Sequence, residues 1–143
     1  MFSKACEYAL RAILYLSLNS SETRKLGIKE ISEELDIPSP FLGKIMQNLV
    51  RHKILQSSKG PNGGFYFTKN AKKIPLINVV KIIDGLEFFE KCGMGLKHCS
   101  SVKPCPIHNQ LMPYRQKLKE MLEEKTIADL TLVLESGKAF LQN

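Results

Sequence analysis

The chain has 143 residues, 43% hydrophobic and 24% charged, with a formal net charge of +7. That length supports one independent core, and the composition is globular, which argues against a two-domain enzyme, a disordered chain or a fibrous repeat. The charge is uneven: residues 1–75 hold 12 Lys/Arg against 6 Asp/Glu, and residues 76–143 hold 9 against 8.

Residues 3–18 read as a nearly all-round apolar helix, central in a small domain. Glu7 and Arg11 interrupt its apolar run, which is too short for a signal core or a membrane span. The expectation is therefore a cytoplasmic protein with no membrane association, in a compartment where disulfides are rare. Residues 19–26 form a polar connection. Residues 27–35 place Ile28, Ile31 and Leu35 on one helical face. After the turn Asp36-Ile37-Pro38, Ser39 offers an N-cap and Pro40 suits the first helical position. In this third helix Leu42, Ile45, Met46 and Leu49 follow the amphipathic spacing, while Gly43, Lys44, Gln47, Asn48 and Arg51 form the other face.

The periodicity then changes. Residues 54–57 and 65–68 read as two short strands around Ser58-Lys59-Gly60-Pro61-Asn62-Gly63-Gly64. Three helices followed by a basic hairpin is the element order of a winged helix-turn-helix. A further helix is expected at about 76–84. From Gly85 to His108 the periodicity is lost, and such long loops are often functional. Ile107, Leu111, Tyr114, Leu118 and Met121 then alternate steps of four and three, a heptad seam suited to dimerisation. Pro113 should kink that helix or mark its start. Thr126 and Asp129 form a variant capping box for a last helix running to about Leu141. The expected fold is mainly α with a small β-hairpin wing. Its division is a DNA-binding region at 1–75 and a sensor loop with dimerisation helices at 76–143.

No acidic residue occurs between Asp36 and Asp84, whereas eight basic ones do. That one-signed stretch points to a polyanionic partner, here double-stranded DNA. Gln47 and Asn48 suit paired hydrogen bonds to adenine, and Lys44 and Arg51 reach guanine or phosphate. Ser39 and Pro40 mark a helix N-terminus able to receive a phosphate. Lys59 sits at the wing tip among Gly60, Pro61, Gly63 and Gly64, where the backbone can approach a minor groove. An ordinary amphipathic surface helix is the plain alternative for residues 39–51.

Cys92, Cys99 and Cys105 crowd into fourteen residues, with His108 following as Cys-x6-Cys-x5-Cys-x2-His. Thiolates and imidazole ligate zinc, copper(I) and iron–sulfur clusters. Zinc sites usually show cysteine pairs two to four residues apart, and these spacings are longer. They suit a larger object, leaving open a structural zinc, an unliganded thiol loop and, less readily, a cysteine nucleophile with His98 or His108. Cys6 reads as a small core hydrophobe.

The chain resembles the IscR/NsrR/RirA-type (Rrf-two) family of bacterial winged-helix regulators over nearly its full length. The resemblance lies in EYALRAILYL, KEISEELDIPSPFLGKIMQNL, KGPNGGF, VVKIIDG, the three cysteines with His108, and TIADL. It implies a homodimeric transcriptional regulator, not an enzyme, that binds an operator and carries a 2Fe–2S or 4Fe–4S cluster. Such a cluster is readily missing from aerobically prepared protein. The implied ligands are Cys92, Cys99, Cys105 and His108, with Glu7 of the partner subunit as the alternative fourth. Two features depart from the family: a six-residue first gap where the IscR branch commonly has five, and Lys59 where many relatives have arginine. Lysine lacks arginine's planar fork, which weakens base-specific reading at the wing.

Overall fold

The computed structural model describes residues 1–142. Its first helix, α1 (Lys4–Asn19), buries Cys6, Ala9, Ala12, Ile13 and Leu16 completely. Ser3 caps it by accepting from the Cys6 amide at 3.1 Å, and Asp84 accepts from both the Ser3 amide and its hydroxyl. Around α1 pack α2 (Ile28–Leu35), α3 (Ser39–Arg51), α4 (Leu76–Ile83) and, near the chain's end, α7 (Ile127–Glu135). The expected central position of the first helix follows from its near-continuous apolar surface.

The α2–α3 corner turns through Asp36 at φ 51°, with Ile37 buried beneath it. The structure moves the start of α3 one residue earlier than expected. Pro38 is the N-cap and Ser39 the first helical residue, and the Ser39 hydroxyl donates to Ser32 Oγ at 2.8 Å. Ser39 is thus a tie between the two helices of the motif, not a cap.

The wing is an antiparallel pair, β1 (Gln56–Ser58) and β2 (Gly64–Tyr66), with Ser57 opposite Phe65. Both strands are shorter than the sequence suggests, because hydrogen bonds at their ends go elsewhere. The Ile54 and Leu55 amides turn back to the Leu49 carbonyl at the end of α3, with both side chains buried. The Phe67 amide is taken by Ser20 Oγ at 3.0 Å. Leu26, expected in a polar connection, instead forms a bridge with Phe65 through two backbone hydrogen bonds of 2.9 and 2.8 Å.

A 3-10 turn at Asn70–Lys73 leads into α4. The irregular segment beyond holds one short helix, α5 (Glu87–Glu90), anchored by buried Phe89. The long α6 (His108–Glu124) contains Pro113 without ending there. Pro113 removes only the bond to the Asn109 carbonyl, one turn from the helix start, where Asn109 is exposed. At α7 the capping box is complete: Thr126 Oγ1 accepts from the Asp129 amide, and Asp129 accepts from the Thr126 amide. The helix ends at Glu135, short of Leu141, and Gly137 at φ 71° follows as a left-handed stop.

Chain-distant segments share the core. Leu76, Val79, Val80, Leu122 and Ile127 join the same apolar cluster as α1, α2 and α3. Inside it Ser17 and Thr131 meet at 2.7 Å, while the Thr131 hydroxyl donates to the Ile127 carbonyl. Backbone bonds from Leu76 to the Lys125 carbonyl and from Ile127 to the Ile74 carbonyl join the chain before α4 to the start of α7. No helix among the described residues is long and apolar enough to cross a membrane.

Candidate nucleic-acid interface and cysteine loop

Helix α3 turns Leu42, Ile45, Met46 and Leu49 inward and leaves Lys44, Gln47 and Arg51 exposed, with Asn48 half-buried. Ser39 and Pro40 are exposed at its start. His52 Nδ1 lies 2.9 Å from the Asn48 carbonyl, so the ring is placed at the end of α3. At the wing, Lys59, Gly60 and Pro61 form an exposed tip. Gly60 adopts φ 100° and Gly64 φ 143°. A side chain at Gly63 would meet the Ser58 carbonyl at 2.3 Å, and one at Gly64 the Leu26 carbonyl at 2.6 Å. These glycines are required by the turn and by the close passage of the wing over Leu26. Behind the wing, Lys25 lies 5.2 Å from the Tyr66 ring centroid and adds a further cation.

Sequence reasoning missed one residue on this surface. Phe41 is 65% exposed beside Lys44, the only large apolar side chain left outside on α3. The signal was present: Phe41 stands about 100° around the helix from Leu42, at the edge of the apolar stripe and not within it.

The cysteine loop is built around α6. Cys99 Sγ lies 3.3 Å from His108 Nδ1 and 4.0 Å from Met112 Sδ, so His108 and Met112, one turn apart on α6, both face it. Met112 was not singled out from the sequence, although its spacing of four from His108 places it on the same face. Cys92 is buried. The Met94 and Leu96 amides hold its thiol below the ordinary range, with the Cys105 side chain and the nearby Arg115 charge adding to the effect. This turn closes through a Gly95 amide bond to the Cys92 carbonyl, with Gly95 at φ 75°. Successive amides aimed at one sulfur favour its thiolate.

Arg115, also unanticipated, ties this loop to α6. Its guanidinium donates to the Lys91 carbonyl and lies 4.9 Å from the Phe88 ring centroid. Gly93 lets the loop press onto Leu111: a Cβ there would fall 2.3 Å from a Leu111 methyl. Cys92 and Cys99 line one cleft of about 310 Å³ together with Glu87, Glu90 and exposed His98.

Of the four expected donors, Cys99 and His108 stand in direct contact, and Cys92 has Cys105 among the groups that lower its thiol. Among the described residues, no three His, Cys, Asp or Glu side chains converge to hold a single metal ion. The donors fit an iron–sulfur group in chemistry, being soft sulfurs plus imidazole in a loop with backbone amides aimed at sulfur. Glu7 is apart from this arrangement, exposed on α1 and ion-paired with Lys4 at 3.0 Å. Cys6 is fully buried, and burial, with Asp84 and Glu7 adding, pushes its thiol up to about 12. It is a core residue.

The seam expected on α6 is mixed. Ile107, Tyr114 and Met121 are exposed, whereas Leu118 packs against the core and Leu111 covers Gly93. Leu132 and Val133 on α7 are further exposed apolar side chains.

The family described as "Rrf2: Iron-dependent Transcriptional regulator" matches residues 2–132. The chain belongs to the Rrf2 family of transcriptional regulators. A chain of Aquifex aeolicus named as an HTH-type transcriptional regulator is 32% identical over 132 residues, covering 91% of this chain and 90% of that one. The regulator NsrR of Oceanobacillus iheyensis is 28% identical over 131 residues, covering 89% and 86%. Among solved structures, T. potens IscR superposes with a TM-score of 0.74 at 20% identity, covering 100% of this chain and 93% of that one. CymR, the global cysteine regulator of B. subtilis, gives the same TM-score at 17% identity, with 92% and 96% covered. These likenesses establish the winged-helix fold, and the family establishes a DNA-binding transcriptional regulator.

Proposed function

We propose that this protein is a cytoplasmic homodimeric regulator, acting as a repressor, that reads its operator with α3 and the wing. It senses iron–sulfur, redox or nitric oxide status through a cluster on Cys92, Cys99, Cys105 and His108. The observation that carries the sensor assignment is the contact of two donors beside α6, with Cys99 3.3 Å from His108, in a loop whose amides also lower the Cys92 thiol. Thiols and an imidazole spread along one loop suit a cluster, whose irons are distinct centres, better than one tetrahedral zinc. His108 is preferred over Glu7 of the partner subunit as fourth ligand, because His108 already faces Cys99. When bound, the cluster supplies a centre reactive toward oxidants and nitric oxide. The chain's own part is mechanical. Arg115 and Gly93 clamp the loop to α6, so a change in the loop's preferred arrangement shifts the population of α6 positions. Exposed Tyr114 and Met121 on the same helix, with Ile107 at its N-cap, would carry that shift to the second subunit. Helix α3 and the wing share one core with α7, which follows α6 directly.

Anaerobic reconstitution should give visible absorbance that Cys99→Ala abolishes, and a paramagnetic resonance spectrum should define the cluster. A colourless protein after reconstitution would reject the cluster. Operator affinity should fall steeply with salt. Lys59→Ala should weaken binding to all sequences, and changing Gln47 should relax preference at one base position. If both variants bind a mapped operator like the parent, the reading surface lies elsewhere. A second reading, a thiol-sensing regulator without a cluster, is favoured by one observation, the Cys92 thiol held below its ordinary range with Cys105 among the contributing groups. It predicts a colourless protein whose DNA affinity changes on oxidation and recovers with dithiothreitol.

A further inference from the structure

We infer that Phe41 is a base-reading residue, packing its ring on the 5-methyl group of a thymine in the major groove; the inference rests on the assignment of α3 as the reading helix. The ring is 65% exposed, although the helix that carries it has a well-formed buried face of Leu42, Ile45, Met46 and Leu49. Its exposure therefore follows from its angular position and not from loose packing. Phe41 lies in the first turn of α3, and N-terminal residues of a recognition helix are the ones that meet base edges.

The neighbourhood decides what covers the ring. Exposed Ser39, Pro40, Lys44 and Gln47 share this outer surface, and no carboxylate lies between Asp36 and Asp84 in the chain. An apolar side chain set among cations and hydrogen-bond donors matches a polyanion that carries an apolar feature of its own. In the major groove of duplex DNA that feature is the thymine methyl, the one hydrocarbon group the base edges present. Gly43 strengthens the match on the other flank. A Cβ there would meet nothing within 4 Å, so the surface beside Gln47 is bare and the helix can lie deep against the bases. Lys44, one turn along from Phe41, would hold the adjacent phosphate or guanine, fixing the ring's depth.

The test uses the full-length protein. Its operator is first selected from a random duplex pool, and each thymine of that operator is then replaced singly by uracil, which removes only the methyl. Binding by the parent should fall about fourfold at one thymine of each half-site, the equivalent of burying one methyl-sized group. Phe41→Ala should bind more weakly overall, bind the thymine and uracil operators equally at that position, and melt like the parent. Phe41→Leu should restore part of the discrimination. The inference is overturned if no thymine-to-uracil change affects the parent, or if Phe41→Ala keeps the full penalty. A parent that shows no salt-sensitive, sequence-selective binding at all would reject the DNA-reading assignment itself. Normal selective binding with an unchanged uracil penalty in Phe41→Ala would reject only the role of Phe41, and would leave its ring as a contact for another protein.

Discussion

Gly64→Ala should break the wing away from the domain, and Gly60→Ala should not. Both glycines have positive φ, 143° and 100°, so an alanine at either is strained by about 1–3 kcal/mol. They differ in what surrounds them. A Cβ at Gly60 meets nothing within 4 Å, whereas one at Gly64 falls 2.6 Å from the Leu26 carbonyl oxygen and 2.8 Å from its carbon. Backbone cannot rotate away as a side chain can. The strand must therefore retreat and lose the two Leu26–Phe65 hydrogen bonds of 2.9 and 2.8 Å. Those contribute about 0.5–1.5 kcal/mol each. Gly64→Ala should cost roughly 2–6 kcal/mol in total, and Gly60→Ala only the strain part. Urea denaturation monitored by circular dichroism reads the difference directly, since midpoint shifts scale with stability at constant slope. In DNA binding, Gly60→Ala should act at the exposed tip without lowering the midpoint by more than its strain. Equal losses in the two variants, or a Gly64→Ala midpoint matching the parent, would refute the close-passage argument.

Four further outcomes are expected. Cys6, neutral in the fold up to about pH 12 but with an ordinary value of 9.0 unfolded, stabilises fully below pH 9. Stability should fall as pH rises from 9 toward 12, and Cys6→Ala should flatten that alkaline slope; an identical slope in the variant would contradict the burial of the thiol. Thr126→Ala removes the α7 cap and should cost about 1 kcal/mol in denaturant titrations. The Thr126 backbone and hydroxyl bonds hold the Asp129 carboxyl below its ordinary value, so its contribution is present above about pH 4 and lost as pH falls through the depressed value. Asp129→Asn should therefore show a smaller loss on acidification than the parent, and an unchanged acid profile would remove the capping box from the account. Arg115→Met should speed hydrogen exchange at the 91–96 amides while leaving α1 protection intact; unchanged exchange would mean the loop is held by Leu111 and Phe89 alone.

The elements of α1 to α3 and the hairpin were legible because each carries a local signal. Apolar spacing marks α2 and α3, and a Gly/Pro turn marks the wing. Strand ends were not legible, since Ile54, Leu55 and Phe67 give their amides to Leu49 and Ser20, partners chosen by tertiary contact. For the cysteine loop, the sequence named the donors and the structure brought Cys99 against His108. Arg115 and Met112 escaped notice because one is a single charged residue on a polar helix and the other an ordinary apolar one. Only the folding of the loop against α6 gives either a neighbour to act on.

The sequence by itself determined the chemistry available: an acid-free basic half, a glycine turn carrying Lys59, and three thiols with an imidazole. These depend on residue identity and on spacing along one helix or turn, which short-range sterics settle. Tertiary structure decided which groups meet. It set Gly64 over Leu26, brought Cys99 against His108, and left Phe41 uncovered beside Lys44. Such pairings join residues far apart in the chain or depend on which helical face the core has already taken. Periodicity shows that a face exists, and packing alone decides what lies against it.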